Sequence, residues 1–327
     1  MTGSIKVVLT SPRVAPGLLT RAGWQVFTDA EHIGASAGPE RPDVQALIGS
    51  GLVLQHIVGE VGEQWAWLTD AAATGCRVAW LIGEDGEPAL LRLIADQLSR
   101  EPRPEYEVEI VHGSYDVPGA RLIDLVRVMD RLRRNCPWDQ EQTHQSLARY
   151  LLEETYETLE AIDSGDYVHL REELGDLLLQ VAFHARIAEE ISEEDDGFSI
   201  DDVAGGLVEK LIRRHPHVFA DVTAADSATV EANWETIKAA EKQRTSVLEG
   251  IPLALPALAL ADKVLGRAAK VLPADLPAAE ATDDETRIGE ALLELVREAR
   301  ALGVDPEQAL RTATHRLTDE IRTAEAG

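Results

Sequence analysis

Two acidic motifs carry the clearest chemistry in this sequence: Glu153-Glu154-x-x-Glu157 and, further along, Glu172-Glu173-x-x-Asp176. Residues three apart on an α-helix lie about 60° apart around its axis, so Glu154 and Glu157 share a face, as do Glu173 and Asp176. Between the motifs, Ser164-Gly165-Asp166 reads as a turn, and two helices joined by a short turn pack antiparallel. The motifs are symmetric about it: Glu157 and Glu173 are equally far from Gly165, and so are Glu154 and Asp176. Four carboxylates are therefore expected to converge at one depth of a helical hairpin. Leu147, Leu151 and Ala161 share the helical stripe of Glu154, and Leu170 and Leu177 that of Glu173, so the carboxylates sit among apolar neighbours. Ionised carboxylates gathered there repel one another and lose hydration. A divalent cation relieves both effects, and an all-oxygen set without cysteine or an obvious histidine favours Mg2+, or Mn2+, over zinc.

Two other readings compete. Glutamates on exposed helix faces are simply solvated, as expected for Glu153, Glu160, Glu189 and Glu190. A carboxylate-bridged di-iron bundle needs Glu-x-x-His on inward faces. Glu141 to His144 is the one such match within the helical segment, and it falls at the start of a helix.

The elements that must position these groups follow from periodicity. Leu122, Leu125, Val126, Met129 and Leu132 recur at three and four, the stripe of an amphipathic helix, which Cys136-Pro137-Trp138-Asp139 interrupts. Trp138 and Asp139 are expected to fix the entrance of the next helix. That helix is expected over about 143–163, a third from an Asp166 N-cap to about 193, a fourth over about 201–214 ahead of Pro216, and a fifth over about 229–244. Ahead of them, short strand-like runs at Ile5–Leu9, Arg77–Ile82 and Tyr106–Val111 alternate with helical stretches such as Pro88–Ser99, which points to an α/β unit with a parallel sheet. The chain thus reads as mainly α: an α/β domain over residues 1–115, a helical bundle over 120–245, and a helical region over 246–327. In that last region Gly289 to Arg300 aligns with Gly175 to Arg186, a partial repeat in which Arg287 stands where Glu173 would.

Composition narrows the partners. With 58 acidic against 31 basic residues and a net charge of −27, the surface repels nucleic acid and anionic lipid. A small polyphosphate still binds where a divalent cation neutralises both sides. Cys76 and Cys136 are far apart and form neither a disulfide framework nor a zinc spacing. No apolar run approaches the ~20 residues that span a bilayer, and no secretory leader is evident, so a cytoplasmic location is expected.

With these residues in place, the sequence resembles the MazG family of all-α nucleoside triphosphate pyrophosphohydrolases. Four ordered motifs carry the resemblance: Cys136-Pro137-Trp138-Asp139-x-x-Gln142-Thr143, the paired acidic motifs, Arg213-Arg214-His215-Pro216-His217-Val218-Phe219, and Trp234-Glu235-x-x-Lys238. It covers about residues 120 to 325 and departs from the family in the second repeat, which implies one catalytic domain rather than two. The resemblance implies cleavage between the α- and β-phosphates of a nucleoside triphosphate, with Glu154, Glu157, Glu173 and Asp176 as Mg2+ ligands and at least a homodimer. Glu153, four residues from Glu157, is then placed either to support a metal ligand from behind or to help deprotonate the attacking water. Lys210 and Arg214 share a helix face and either clamp phosphates or snorkel to solvent. Trp234 stacks on a base or serves as a core or interface aromatic, and Lys238, one turn on, reaches phosphate. His215 and His217 read as structural or surface groups. The alternative is a non-enzymatic acidic scaffold that keeps a metal for stability.

Overall fold

Short apolar runs near the amino end pair into a parallel sheet of five strands: β1 (Ser4–Leu9), β2 (His32–Ala35), β3 (Gln55–His56), β4 (Arg77–Leu81) and β5 (Glu107–His112), in the order β3-β2-β4-β1-β5. Strand β1 is paired on both sides, Val7 against Trp80 of β4 and against Ile110 of β5. A strand buried on both faces needs apolar side chains in succession, which is why Ile5, Val7 and Val8 are all fully buried. Helices cover both faces: α1 (Arg21–Asp29) and α2 (Pro42–Gly49) bury Phe27 and Leu47 against Val8 and Leu81, while α3 (Val61–Ala73) and α4 (Pro88–Leu98) bury Leu68 and Leu90 against Ile5 and Trp80. The expected strands are present, and β2 and β3 join them; both are too short to declare themselves by periodicity.

The computed structural model describes residues 3–83, 86–101, 105–220, 226, 229–230, 233–234, 237, 246–269, 271–272 and 283–326. The remaining helices are α5 (Arg121–Asn135), α6 (Pro137–Glu141), α7 (His144–Ser164), α8 (Tyr167–Ala188), α9 (Ile200–Arg214), α10 (Pro216–Phe219), α11 (Ala257–Ala268), α12 (Asp284–Ala301) and α13 (Pro306–Ala326). Thirteen helices against five strands among the described residues make the chain mainly α. The helix expected over about 229–244 falls largely outside the described residues. The chain divides into two compact units, Met1–Gly205 and Gly206–Gly327.

Within the first unit, α7 and α8 form the hairpin that the acidic motifs require. A capping box opens α7: the Thr143 hydroxyl accepts from the Ser146 amide, and the Ser146 hydroxyl accepts from the Thr143 amide. Gly165 ends it at φ +71°, in the left-handed region that favours glycine. Asp166 then caps α8, its carboxylate accepting from the Val168 and His169 amides at 2.8 and 3.1 Å. Beneath the hairpin, Met129 of α5 packs with Leu147, Ala182, Phe183 and Ile187. Two ion pairs fasten α5 to α8 and the residues just after it: Arg186 to Asp130 at 3.0 Å and Arg133 to Glu190 at 2.8 Å. The loop after β1 is tied to α5 as well, through Arg13 on Asp124 at 2.7 Å and Arg127 on the Pro12 carbonyl at 2.6 Å.

Gly165 offers a clean test of the turn. A Cβ there meets nothing within 4 Å, so the cost of Gly165→Ala is conformational strain alone. Urea denaturation should register a loss of about 1–2 kcal/mol, with activity per folded molecule retained.

Candidate metal centre

Across the seam between α7 and α8, Glu154, Glu157 and Glu173 each offer a carboxylate oxygen, and the three oxygens lie within 4.8 Å of one another. Glu154 and Glu157 come from one face of α7, and Glu173 comes from the opposing face of α8 beyond the Gly165 turn. Their exposure is graded. Glu173 is buried at 7%, Glu154 is half-buried and Glu157 is open. His169, one turn before Glu173, holds the Glu173 carboxylate through Nε2 at 2.9 Å. His169 belongs to neither acidic motif, and its position four residues ahead of Glu173 is the signal for it in the sequence.

The electrostatics are one-sided. Burial raises the Glu154 carboxyl above its ordinary value, and the charges of Asp176, Glu157, Glu173 and Glu153 raise it further, in that order. Among the described residues, no lysine or arginine forms an ion pair with any of these carboxylates. Asp176 stands outside the group of three, so the expected four-way convergence is met by three side chains. It is half-buried, and its charge is the foremost of those acting on Glu154. Glu153 is exposed on α7. A crowded, partly desolvated, all-oxygen anionic set without an arginine or lysine counter-ion fits a hard divalent cation, and the residues present would hold one.

The other candidate residues lie in the second compact unit. Arg214 is buried at 8%, with its guanidinium 5.2 Å from the centre of the Trp234 ring, and His215 meets that ring edge-on at 4.8 Å. Arg214 is therefore not a solvent-seeking side chain, and Trp234 contacts both it and His215. Lys210, one turn before Arg214 on α9, is half-buried. Lys238 lies outside the described residues.

The histidine of the Glu-x-x-His spacing has a different partner. His144 stacks on His184 with Nδ1 atoms 2.7 Å apart, and burial, then the charge of His144, lowers the His184 imidazole below its ordinary value. His184 is eleven residues beyond Glu173 on α8, about 16 Å at the helical rise, which removes the geometric basis for a di-iron centre here. In the second unit, Arg287 of α12 pairs with Asp284 at 3.2 Å where Glu173 would stand in the repeat. Among the described residues, the trio on α7 and α8 is the acidic group close enough to share an ion.

A helical hairpin that gathers carboxylates from two Glu-x-x-Glu/Asp turns marks an all-α domain fit to hold a cation. A family model described as the MazG nucleotide pyrophosphohydrolase domain matches residues 142–219, which include all four expected ligands. An uncharacterised 26.1 kDa protein of Streptomyces cacaoi is 52% identical over 243 residues, 74% of this chain and 98% of that one. The nucleoside triphosphate pyrophosphohydrolase of Escherichia coli K12 is 40% identical over 62% of this chain and 86% of its own length. That of Mycobacterium tuberculosis is 49% identical, and there the match spans 59% of the relative. The chain belongs to the MazG family. No helix among the described residues is long and apolar enough to cross a membrane.

Proposed function

We propose that this chain is a nucleoside triphosphate pyrophosphohydrolase that uses Mg2+, or Mn2+ in its place, bound by Glu154, Glu157, Glu173 and Asp176. The carboxylate trio on α7 and α8, in a chain of this family, carries the reading. The substrates are ribo- or deoxyribonucleoside triphosphates. Water adds to the α-phosphorus, the bond from that phosphorus to the bridging oxygen breaks, and a nucleoside monophosphate and pyrophosphate leave. When bound, the cation offsets charge on the phosphoryl oxygens and lowers the pKa of its water. His169 fixes the orientation of the Glu173 carboxylate. Glu153, exposed and one turn ahead of Glu157, accepts the proton of the attacking water. The sequence motifs assign phosphate to Lys210, Arg214 and Lys238 and the base to Trp234.

The same reading divides the chain functionally into an α/β domain over 1–115 without an assigned role, a catalytic domain over 120–245 and a degenerate repeat over 246–327. It places the enzyme in the cytoplasm, clearing aberrant nucleotides, with no nucleic-acid partner. Leu152, Leu174 and Leu178 are exposed on the hairpin at 57%, 51% and 39%, which supports assembly as a homodimer or a larger homo-oligomer.

Pyrophosphate release from a panel of ribo- and deoxyribonucleoside triphosphates with Mg2+ tests the proposal, using wild type, Glu157→Ala and Asp176→Ala. Monophosphate plus pyrophosphate from wild type, lost in both variants, is the expected result. No turnover of any nucleotide by folded, cation-loaded wild type would overturn it in favour of an acidic scaffold.

A further inference from the structure

The reading of the site leaves one buried polar side chain of α8 unused. Gln180 is 5% exposed, and its Oε1 has no hydrogen-bond partner. It sits on the stripe of the carboxylates: seven residues beyond Glu173 it lies about 20° away around the helix axis, and four beyond Asp176 about 40° away and roughly 6 Å along. Phe183 and Ile187, three and seven residues further on and near the same face, belong to the apolar core under the hairpin. Gln180 therefore marks the boundary between that core and the carboxylates. Side chains on a helix lean toward its amino end, so a side chain as long as glutamine reaches back over the turn that carries Asp176.

A buried carbonyl oxygen without a donor is unfavourable, and phosphate, itself an acceptor, cannot satisfy it. A water held on a divalent cation is a donor. We propose that Gln180 is a positioning residue of the site, its carboxamide oxygen accepting a hydrogen bond from a cation-bound water and so orienting it against the α-phosphorus. This inference rests on the pyrophosphohydrolase reading and adds to it a residue that the acidic motifs do not include.

The test compares wild type with Gln180→Leu and Gln180→Glu by three measurements: Mn2+ affinity by titration calorimetry on the full chain, melting midpoint without divalent cation, and steady-state pyrophosphate release. Gln180→Leu keeps the shape and removes the acceptor. It should weaken Mn2+ binding and lower kcat by about 10- to 100-fold, the usual effect of losing a group that supports a metal site, with KM for the nucleotide little changed. Its cation-free melting midpoint should not fall, because replacing an unpartnered buried oxygen by carbon removes no hydrogen bond. Gln180→Glu keeps an acceptor and should retain more of the Mn2+ affinity than Gln180→Leu.

A carboxamide that instead shares a buried water with the unpartnered Nε2 of His184, four residues on, predicts the reverse. Gln180→Leu would then melt lower without cation and keep wild-type Mn2+ affinity and kcat, and that result would overturn the proposal. Unchanged values in all three measurements would overturn it equally. Wild type that binds Mn2+ but turns over no nucleotide would end the enzymatic reading, while the affinities of the two variants would still decide the role of Gln180.

Discussion

Glu154→Gln should yield a protein that melts at a higher temperature than wild type in the absence of divalent cation, yet hydrolyses nucleoside triphosphates about 10³-fold more slowly. The two effects share one cause. Burial and four neighbouring carboxylates raise the Glu154 carboxyl in the folded chain. A group whose folded pKa lies above its unfolded value stabilises the fold while it is protonated, and that contribution is lost as pH rises through the folded value. Where Glu154 is ionised, the cation-free fold thus carries a charge that its surroundings disfavour. Glutamine keeps the shape without the charge, so melting should rise at pH 7 and the difference should vanish at a pH low enough to protonate Glu154 in both states. The activity loss follows because an amide is a poor ligand for a hard cation, and removing one electrostatic stabiliser from a transition state costs about 10²–10³-fold or more. Calorimetric melts at pH 7 and pH 4, alongside initial rates, check both halves. A variant that melts lower than wild type at pH 7 would show that Glu154 supports the fold, against this account.

Saturating Mg2+ or Mn2+ should raise the melting midpoint of the wild type by roughly 5–10 °C. A ligand that binds only the folded state at 100 times its dissociation constant stabilises by about 2.7 kcal/mol, and each kcal/mol is worth about 2–4 °C in a cooperative unit of this size. The shift should disappear in Glu157→Ala and on chelation, since Glu157 is one of the three carboxylates whose oxygens cluster. Equal shifts in wild type and Glu157→Ala would place the cation elsewhere on this acidic surface.

How much of the site could be read before the fold was known depended on how local each feature is. The hairpin was legible because its turn, its cap and its symmetric acidic spacing all lie in one short stretch around Gly165. Helical periodicity then set Glu154, Glu157 and Glu173 on facing sides. The limits appear where tertiary context decides. Equal distance from the turn did not make Asp176 a member of the close group, because side-chain reach and lean differ between positions that the spacing treats as equivalent. His169 holds Glu173 from its own helix and Gln180 lies a turn beyond Asp176, and neither belongs to an acidic motif. The burial of Arg214 against Trp234 depends on residues about twenty positions apart whose contact no periodicity announces. In the α/β unit, β1 and β4 were plain from their apolar runs, whereas Gln55–His56 of β3 is a strand only because β2 pairs with it.

The graded exposure of the three carboxylates gives the site a direction. Glu173 is sealed against the helix seam, Glu154 is half covered, and Glu157 stands in the open. Of the three, Glu157 is the end that solvent reaches, and a cation held by the group would be met from that side. Chemistry that crowds Glu157 would act at the open end of the group and leave the buried Glu173 end in place.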